Sequence, residues 1–361
     1  MLNQEIKKRN IPDALKFFSG DTVASSADWQ KRRAELLDYF QSEMYGYIPA
    51  APDEVSFEEI SRDELFSGGK LELYTVLIKP RVNGKIASFK VQCVLPRKRI
   101  KGAFIYADFF DTVPSKCLPA EEIADNGYAV FSFFYEDTSS DNNDFTNGLA
   151  SLFFEKGERK ESDAGKISIW AWTMMRVMDY VQTLDSIPKD RIILVGHSRL
   201  GKTALLAGAY DERFYGVISN DSGCAGAAIE RGKRGETYKD AFIVFNHWFA
   251  PKFEMYALGK KELLVDQHCL LVLTAPRKLY VASAFLDKWA DPDSELLACV
   301  AASPVFELLG KKGLSYSGEF LRKATALHSG DVAYHLRDGV HYLNRDDWNN
   351  FIKYFDKTFN H

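Results

Sequence analysis

The spacing of apolar residues changes near residue 100 of this 361-residue chain. Before that point, Leu71 to Lys79 and Lys85 to Leu95 flank the turn Pro80-Arg81-Val82-Asn83-Gly84, and the second segment alternates apolar with polar positions. Strict alternation is typical of a strand with one buried face, and a Gly-containing turn between two such runs favours a hairpin. The segment from 71 to 95 therefore predicts an antiparallel hairpin.

Beyond Gly102 the apolar residues gather in short runs separated by helical stretches, a pattern typical of parallel strands joined by crossovers. A helix is predicted near Ile167 to Leu184, where apolar residues recur every three or four positions. The predicted strands are Ala103 to Ala107, Ala129 to Phe134, Ile192 to Val195, Gly216 to Ser219, Lys278 to Ala284 and Val332 to Leu336.

The first sixty residues lack this pattern of strands. Ser26 precedes a helical stretch that continues to a stop at Tyr45-Gly46. We expect residues 1–60 to form a helical strap packed on a single larger domain of residues 61–361.

Composition and charge exclude several classes of protein. Hydrophobic residues make up 46% of the chain, enough for a large core, and 46 basic and 50 acidic side chains are mixed along it without a basic stripe. Nucleic acid is therefore not an expected partner. No window of eighteen apolar residues is present, so a membrane partner is not expected either. The charged N-terminus lacks a signal-peptide pattern, which favours a cytoplasmic protein, or a secreted or periplasmic one if the chain was trimmed.

The five cysteines form an odd set with no Cys-x-x-Cys pair and no zinc-finger spacing: Cys93, Cys117, Cys224, Cys269 and Cys299. We expect reduced thiols in the core and no metal site.

Ser198 stands between an apolar strand and a helix, in the segment Arg191-Ile-Ile-Leu-Val-Gly-His-Ser-Arg-Leu-Gly-Lys202. A serine in such a turn is typical of a nucleophile elbow, although the common G-x-S-x-G pattern would have glycine where this chain has Leu200. Gly201 follows one position later. With the hairpin and the parallel strands, this elbow predicts an α/β-hydrolase fold: a central, mostly parallel sheet with an antiparallel N-terminal hairpin and helices on both faces.

A serine nucleophile needs a histidine base, and the base needs a carboxylate to fix its tautomer. In this fold the expected order is serine, acid, histidine. His341 follows the last predicted strand in a loop at its carboxyl end and is the favoured base, with His335, inside that strand, as the alternative. Asp221 and Asp287 each follow a predicted strand, and position alone does not separate them as the acid.

Several motifs in order resemble those of glucuronoyl esterases, carbohydrate esterase family 15, and the resemblance extends over nearly the whole chain. They include Trp29-Gln-Lys-Arg-Arg33, Tyr45-Gly46, Gly196-His-Ser-Arg-x-Gly-Lys202, Asn220-Asp-Ser-Gly-x-x-Gly-Ala-Ala228, Arg234-Gly-Glu-Thr237, Asn246-His-Trp-Phe249, Asp287-x-Trp-Ala-Asp-Pro292 and Tyr334-His-x-Arg-x-Gly-x-His341.

The resemblance implies a role for each matched residue. Ser198 would be the nucleophile and His341 the base, and Arg199 would help to form the oxyanion hole. In most of the family the first acid is glutamate, so Asp221 is one methylene shorter, and Asp287 matches a second acid of some bacterial relatives. Lys202 and Glu236 would bind sugar hydroxyls and Trp289 would pack on the uronate ring, whereas His197 is expected to point into the scaffold.

The implied activity is that of a serine carboxylester hydrolase without a cofactor. Its substrate would be a saccharide ester of the (4-O-methyl-)glucuronic acid carboxyl, as in lignin–carbohydrate esters or smaller uronyl esters. Two alternatives stay open: acetylxylan or other carbohydrate esterase activity on the same fold, and a catalytically impaired relative that only binds carbohydrate.

Overall fold

One eleven-stranded sheet organises the computed structural model, which describes residues 1–359. The strands are β1 Glu54–Asp63, β2 Leu71–Val82, β3 Lys85–Ile86, β4 Phe89–Pro96, β5 Gly102–Asp108, β6 Tyr128–Phe134, β7 Ile192–His197, β8 Gly216–Asn220, β9 Lys278–Ala284, β10 Thr325–Leu327 and β11 Val332–Arg337. They lie in the order β1-β2-β4-β6-β5-β7-β8-β9-β11-β10, and β3 pairs with β2.

The centre of the sheet is parallel. Strands β6, β5, β7, β8, β9 and β11 pair in parallel, and they are the six strands predicted from the short apolar runs. Every residue of β5 is buried, because helices cover both faces, and this explains its nearly continuous apolar sequence. The hairpin is also confirmed: β2 and β4 are antiparallel, and β4 pairs antiparallel with β6.

Helices cover both faces of the sheet, which confirms the predicted fold class. One face packs against α6, α7 and α11, and the other against α4 and α12. The helices are α1 Leu2–Lys8, α2 Ser26–Phe40, α3 Phe66–Gly69, α4 Ala120–Asp125, α5 Tyr135–Thr138, α6 Lys166–Gln182, α7 Arg199–Tyr210, α8 Tyr238–Phe245, α9 Glu254–Ala257, α10 His268–Leu271, α11 Pro292–Leu308 and α12 Arg345–Phe359.

The N-terminal segment covers α6, so this helix is buried on nearly all sides rather than on the single face that its apolar period predicts. The Ser168 hydroxyl donates to the carbonyl of Tyr45 at 2.8 Å, and Trp172 Nε1 donates to the carbonyl of Ala50 at 2.9 Å. The chain enters the sheet at Glu54, before the boundary predicted at residue 60.

Two strands were not predicted from the sequence, and both lie at the edges of the sheet. β1 carries five charged residues among ten and is largely exposed, and β10 has only three residues. An edge strand with charged side chains resists pairing with other chains but shows no apolar alternation.

All five cysteines are buried and unpaired, as predicted. Within residues 1–359, no helix is both long enough and apolar enough to cross a membrane.

Candidate active site

Ser198 lies in a tight turn between β7 and α7, with φ 56° and ψ −127°. A non-glycine residue with positive φ is strained by about 1–3 kcal/mol, and such strain is characteristic of a nucleophile elbow. The turn also requires glycine at position 196, because a Cβ there would lie 1.9 Å from the carbonyl oxygen of Leu200. The predicted elbow is therefore present.

The displaced glycine of this motif has a packing reason. Gly201 lies where α7 crosses β8, and a Cβ at this position would lie 2.9 Å from Cβ of Ser222 and 3.1 Å from Oγ of Ser219. Leu200 points into the core and is fully buried. The glycine is needed one position later than in the common pattern because this crossing is close.

His341 and Asp287 form a direct contact. The two lie in the loops that follow β11 and β9, and His341 Nδ1 is 2.6 Å from Asp287 Oδ2. Since a carboxylate only accepts, Nδ1 carries the proton and Nε2 is left as the basic nitrogen. Burial opposes ionisation of Asp287, but hydrogen bonding and the charge of His341 lower its pKa below the ordinary value.

Asp221 lies close to this pair but binds other groups. Its Oδ1 accepts from the backbone N–H of Ala284 at 2.7 Å, and its Oδ2 accepts from Arg337 Nη2 at 3.2 Å. Burial, together with the negative charge of Glu295, raises the pKa of Asp221 well above its usual range, and the Arg337 charge opposes this rise. Of the two candidate acids, Asp287 is the one in contact with His341.

Backbone hydrogen bonds join the loop that carries Asp287 to the loop that carries His341. Phe285 N–H donates to the carbonyl of Arg337 at 2.8 Å, and Leu286 N–H donates to the carbonyl of Gly339 at 2.9 Å. Asp287 and His341 are thus held next to each other by a backbone hydrogen-bond ladder between their two loops.

Two further histidines, His335 and His197, have structural contacts. His335 is buried, with Nδ1 2.8 Å from the Tyr280 hydroxyl and Nε2 2.8 Å from Asp347, so both ring nitrogens are occupied. His197 Nδ1 is 2.6 Å from Asn220 Oδ1, and its ring lies 4.6 Å from that of His341. Burial lowers the pKa of His197 to about 3, so it is a neutral packing surface for His341.

Arg199 also lines the cleft. Nη1 of its guanidinium donates to Asp141, and its Cζ lies 4.8 Å from the Trp248 ring centroid. Its Nε is buried and has no hydrogen-bond partner within residues 1–359. The backbone N–H of Arg199 is in the first turn of α7, where N–H groups lack intrahelical partners and the helix dipole favours negative charge.

Asp141 collects four donors and was not identified from the sequence. It accepts from Arg199, from His247 Nε2 at 2.7 Å, from Trp248 Nε1 at 2.7 Å and from the Tyr135 hydroxyl at 3.0 Å. Burial opposes its ionisation, but these donors and the Arg199 charge lower the pKa of Asp141 to about 2. Asp141 comes from a loop rich in Asp, Asn and Ser, in which no pattern distinguishes it.

Lys202 extends from α7 into the same cleft. Its side chain is almost completely buried, and Nζ donates to the carbonyl of Ser222 at 2.6 Å. Burial lowers the pKa of Lys202, and the nearby negative charge of Glu236 opposes this effect.

Glu236 and Trp289 complete the wall of the cleft, which has a volume of about 310 Å³ and brings together all eight residues predicted for the site. Trp289 exposes 59% of its surface, so one ring face is available to a ligand. Gly235 allows the approach of these two segments, since a Cβ there would lie 2.4 Å from the carbonyl oxygens of Lys288 and Trp289. The residues that line the cleft are Ser198, Arg199, Lys202, Asp221, Ser222, Gly223, Glu236, Phe245, Trp248, Asp287, Trp289, Ala290 and His341.

Asp221, Asp287 and His341 each have an atom of metal-ligand type within 4.8 Å of the other two. Their hydrogen bonds are already made within the protein, to one another and to Ala284 and Arg337. His341 and Asp287 form a hydrogen-bonded acid–base pair in the cleft that Ser198 also lines, and Asp221 lies beside them.

A second buried acid, Glu295, was also not identified from the sequence. It lies on α11 beneath the cleft, where it accepts from the backbone N–H of Gly223 at 2.9 Å and from the Ser283 hydroxyl. Burial raises its pKa to about 7. An acid in the first turn of a helix is usually solvated, so the sequence carries no sign of this role.

Comparison with known proteins identifies the family. A family model for fungal glucuronyl esterase matches residues 78–310. The solved glucuronoyl esterase from Solibacter usitatus is 32% identical, with 96% of this chain and 97% of that chain covered and a TM-score of 0.88.

Two further relatives agree. A carbohydrate esterase from an unknown prokaryotic organism is 29% identical over 98% of this chain and 90% of its own length. A 4-O-methyl-glucuronoyl methylesterase from Podospora anserina is 28% identical over 83% of this chain, which spans 60% of that protein. The chain therefore belongs to the glucuronoyl esterase family and is a carboxylic ester hydrolase with the α/β-hydrolase fold.

Proposed function

We propose that this protein hydrolyses esters of the glucuronic acid carboxyl, with or without the 4-O-methyl group, by a triad of Ser198, His341 and Asp287. The observation that carries the proposal is the 2.6 Å contact between His341 Nδ1 and Asp287 Oδ2 in the cleft that Ser198 lines. This contact leaves Nε2 of His341 as the proton acceptor, as a serine nucleophile requires.

Acylation begins when Ser198 Oγ attacks the ester carbonyl carbon and its proton passes to His341 Nε2. The resulting oxyanion would lie at the N-terminus of α7, where the Arg199 backbone N–H and guanidinium supply donors and positive charge. His341 then gives its proton to the alkoxide, the alcohol leaves, and the uronoyl group remains on Ser198.

Deacylation repeats these steps with water. His341 Nε2 removes a proton from water as its oxygen attacks the acyl carbon, and Ser198 leaves with the proton from His341. Asp287 stays ionised throughout, which agrees with its lowered pKa, and stabilises the imidazolium in both halves of the reaction.

The binding of the sugar follows from the chemistry of the cleft walls. Lys202 uses one Nζ hydrogen on the Ser222 carbonyl, and the other two can reach ring hydroxyls. Glu236 offers a carboxylate acceptor beside it, and the exposed Trp289 ring offers an apolar face to the pyranose.

The experiment compares benzyl glucuronate with p-nitrophenyl acetate as substrates of the wild-type protein and of Ser198→Ala. We expect hydrolysis of the glucuronate ester by the wild type, and neither hydrolysis nor fluorophosphonate labelling in the variant. Good hydrolysis of the acetate with none of the glucuronate would overturn the substrate assignment in favour of another esterase activity on the same fold. Absence of labelling in the wild type would indicate a carbohydrate-binding relative without catalysis.

A further inference from the structure

Arg337 ends β11 and is buried beneath the loop that carries His341. Its side chain is 6% exposed, and no part of it lines the cleft. A buried guanidinium is costly unless its donors and its charge are satisfied, so its contacts indicate what it holds in place.

On one side the guanidinium holds the backbone around the histidine. Nη2 donates to the carbonyl of Val340 at 3.1 Å and to that of Tyr342, the residues immediately before and after His341. Nη1 donates to the carbonyl of Asp338 at 3.2 Å. Three carbonyls of one short loop therefore converge on one side chain.

On the other side two carboxylates fix the guanidinium. Nε donates to Asp347 Oδ2 at 2.8 Å, and Nη2 is 3.2 Å from Asp221 Oδ2. Asp347 is itself immobilised, since it accepts from His335 at 2.8 Å and from the backbone N–H of Asn344 at 2.9 Å. The anchor is built from three different elements of the fold.

We infer that Arg337 is a positioning residue for the general base: it clamps the carbonyls on both sides of His341 and so sets the imidazole against Asp287 and Ser198. Asp221 then serves the site through Arg337, as a buried hydrogen-bond acceptor for the guanidinium, which explains why this acid lies near the histidine without binding it. The inference rests on the proposed function, because it takes His341 as the base.

Lysine cannot replace arginine in this position. The guanidinium has five N–H donors in a fixed plane, whereas an ammonium has three. Here Nε and Nη1 reach Asp347 and the Asp338 carbonyl, and the two Nη2 hydrogens are shared among Asp221 and the carbonyls of Val340 and Tyr342. A lysine would keep the charge and release part of the loop. A displacement of about 1 Å at a catalytic group costs on the order of 100-fold in rate.

The test is Arg337→Lys, with Arg345→Lys as the matched control, since Arg345 is exposed and pairs only with Glu122 among the described side chains. We expect Arg337→Lys to lower kcat on benzyl glucuronate about 10- to 100-fold, with KM within about twofold, and to weaken the downfield proton NMR signal of the His341–Asp287 hydrogen bond. The control should keep wild-type kcat and signal. Wild-type kcat and an unchanged downfield signal in a folded Arg337→Lys protein would overturn the inference.

A second variant applies if Arg337→Lys does not fold. A Cβ on Gly339 would lie 2.9 Å from Arg337 Nη1, and Gly339 has a φ of 113°, so Gly339→Ala both pushes the guanidinium and strains the loop backbone while keeping the Arg337 charge. We expect the same fall in kcat and the same loss of signal, and a Gly339→Ala enzyme with wild-type kcat and signal would refute the clamp. Ser198→Ala and His341→Ala, measured in parallel, separate the two claims: if they keep activity, the proposed triad fails, and if only the Arg337 and Gly339 variants keep it, the clamp alone fails.

Discussion

Replacing Asp287 by asparagine tests which acid serves His341. The two side chains have the same shape, so the change removes the negative charge and replaces one acceptor oxygen with an NH₂ donor. The new side chain would still have to satisfy the backbone N–H of Ala290, from which Asp287 accepts a hydrogen bond at 3.1 Å. The carboxamide oxygen would therefore turn to Ala290, and the NH₂ group would face His341 Nδ1 as a donor. This would force the imidazole proton onto Nε2, the nitrogen that must accept a proton from Ser198.

The expected loss of rate follows from the geometry. Two unit charges about 4 Å apart, at the effective dielectric constant of about 20 that suits such sites, attract by about 4 kcal/mol. Loss of this stabilisation of the imidazolium corresponds to a roughly 1000-fold slower reaction, and the wrong tautomer extends it towards 10⁴-fold. KM should change little, because Asp287 has no contact with the sugar in the proposed mechanism.

The assay is kcat and kcat/KM on benzyl glucuronate, with two variants for comparison. Asp338→Asn is the matched control: it removes the same charge from an exposed side chain in the His341 loop, and we expect less than a twofold effect. Asp221→Asn should lower kcat about tenfold or less, since Asp221 accepts hydrogen bonds from Arg337 and from the Ala284 N–H and has none with His341.

Two results would refute the reasoning. If Asp221→Asn loses as much rate as we expect for Asp287→Asn while Asp287→Asn stays near the wild type, Asp221 is the acid. If neither single variant loses activity and the double variant does, the two acids replace each other, and the contact seen here has no special role.

Three other changes have separate expected outcomes. Lys202→Ala should raise KM for benzyl glucuronate about 10-fold and leave p-nitrophenyl acetate hydrolysis within about twofold, since the acetate has no ring hydroxyls; an equal loss on both substrates would argue against a sugar contact. Trp289→Ala should likewise raise KM for the glucuronate about 5- to 10-fold, because it removes an exposed contact between the ring and the sugar. The comparison variant is Trp289→Phe, which should keep most of the affinity. Asp141 has a pKa lowered to about 2 from an ordinary 3.8, so it contributes about 2 kcal/mol of stability that is fully present above about pH 4 and is lost as the pH falls towards 2. Urea unfolding should therefore show Asp141→Asn to be destabilised at pH 6, with a smaller difference from the wild type at pH 3, and a difference independent of pH would contradict this account.

The parallel core of the fold could be predicted because burial on both faces imposes an apolar run on each central strand. The elbow could be predicted because a strand, a strained turn and a helix in succession leave a recognisable sequence around Ser198. The edge strands β1 and β10 could not, since their environment is mostly solvent and their sequences are charged or very short.

The candidate site also contains some residues that the sequence indicates and others that it does not. Ser198 and His341 follow from chain order and strand position, but the choice between Asp221 and Asp287 depends on directions that side chains take across neighbouring strands. Asp141 is harder still to predict, because its partners Arg199 and His247 are 58 and 106 residues away in the chain. A single sequence does not show that an aspartate in a polar loop meets an arginine and a histidine in the core.

The backbone ladder between the Asp287 and His341 loops has a consequence for motion. Thermal displacement of one loop must carry the other with it, because the Phe285–Arg337 and Leu286–Gly339 hydrogen bonds join them. We therefore expect Asp287 and His341 to move together, and Ser198 to move with β7. The geometry of proton transfer should then vary mainly with the separation of these two joined loops from the serine, and the His341–Asp287 contact should persist as that separation changes.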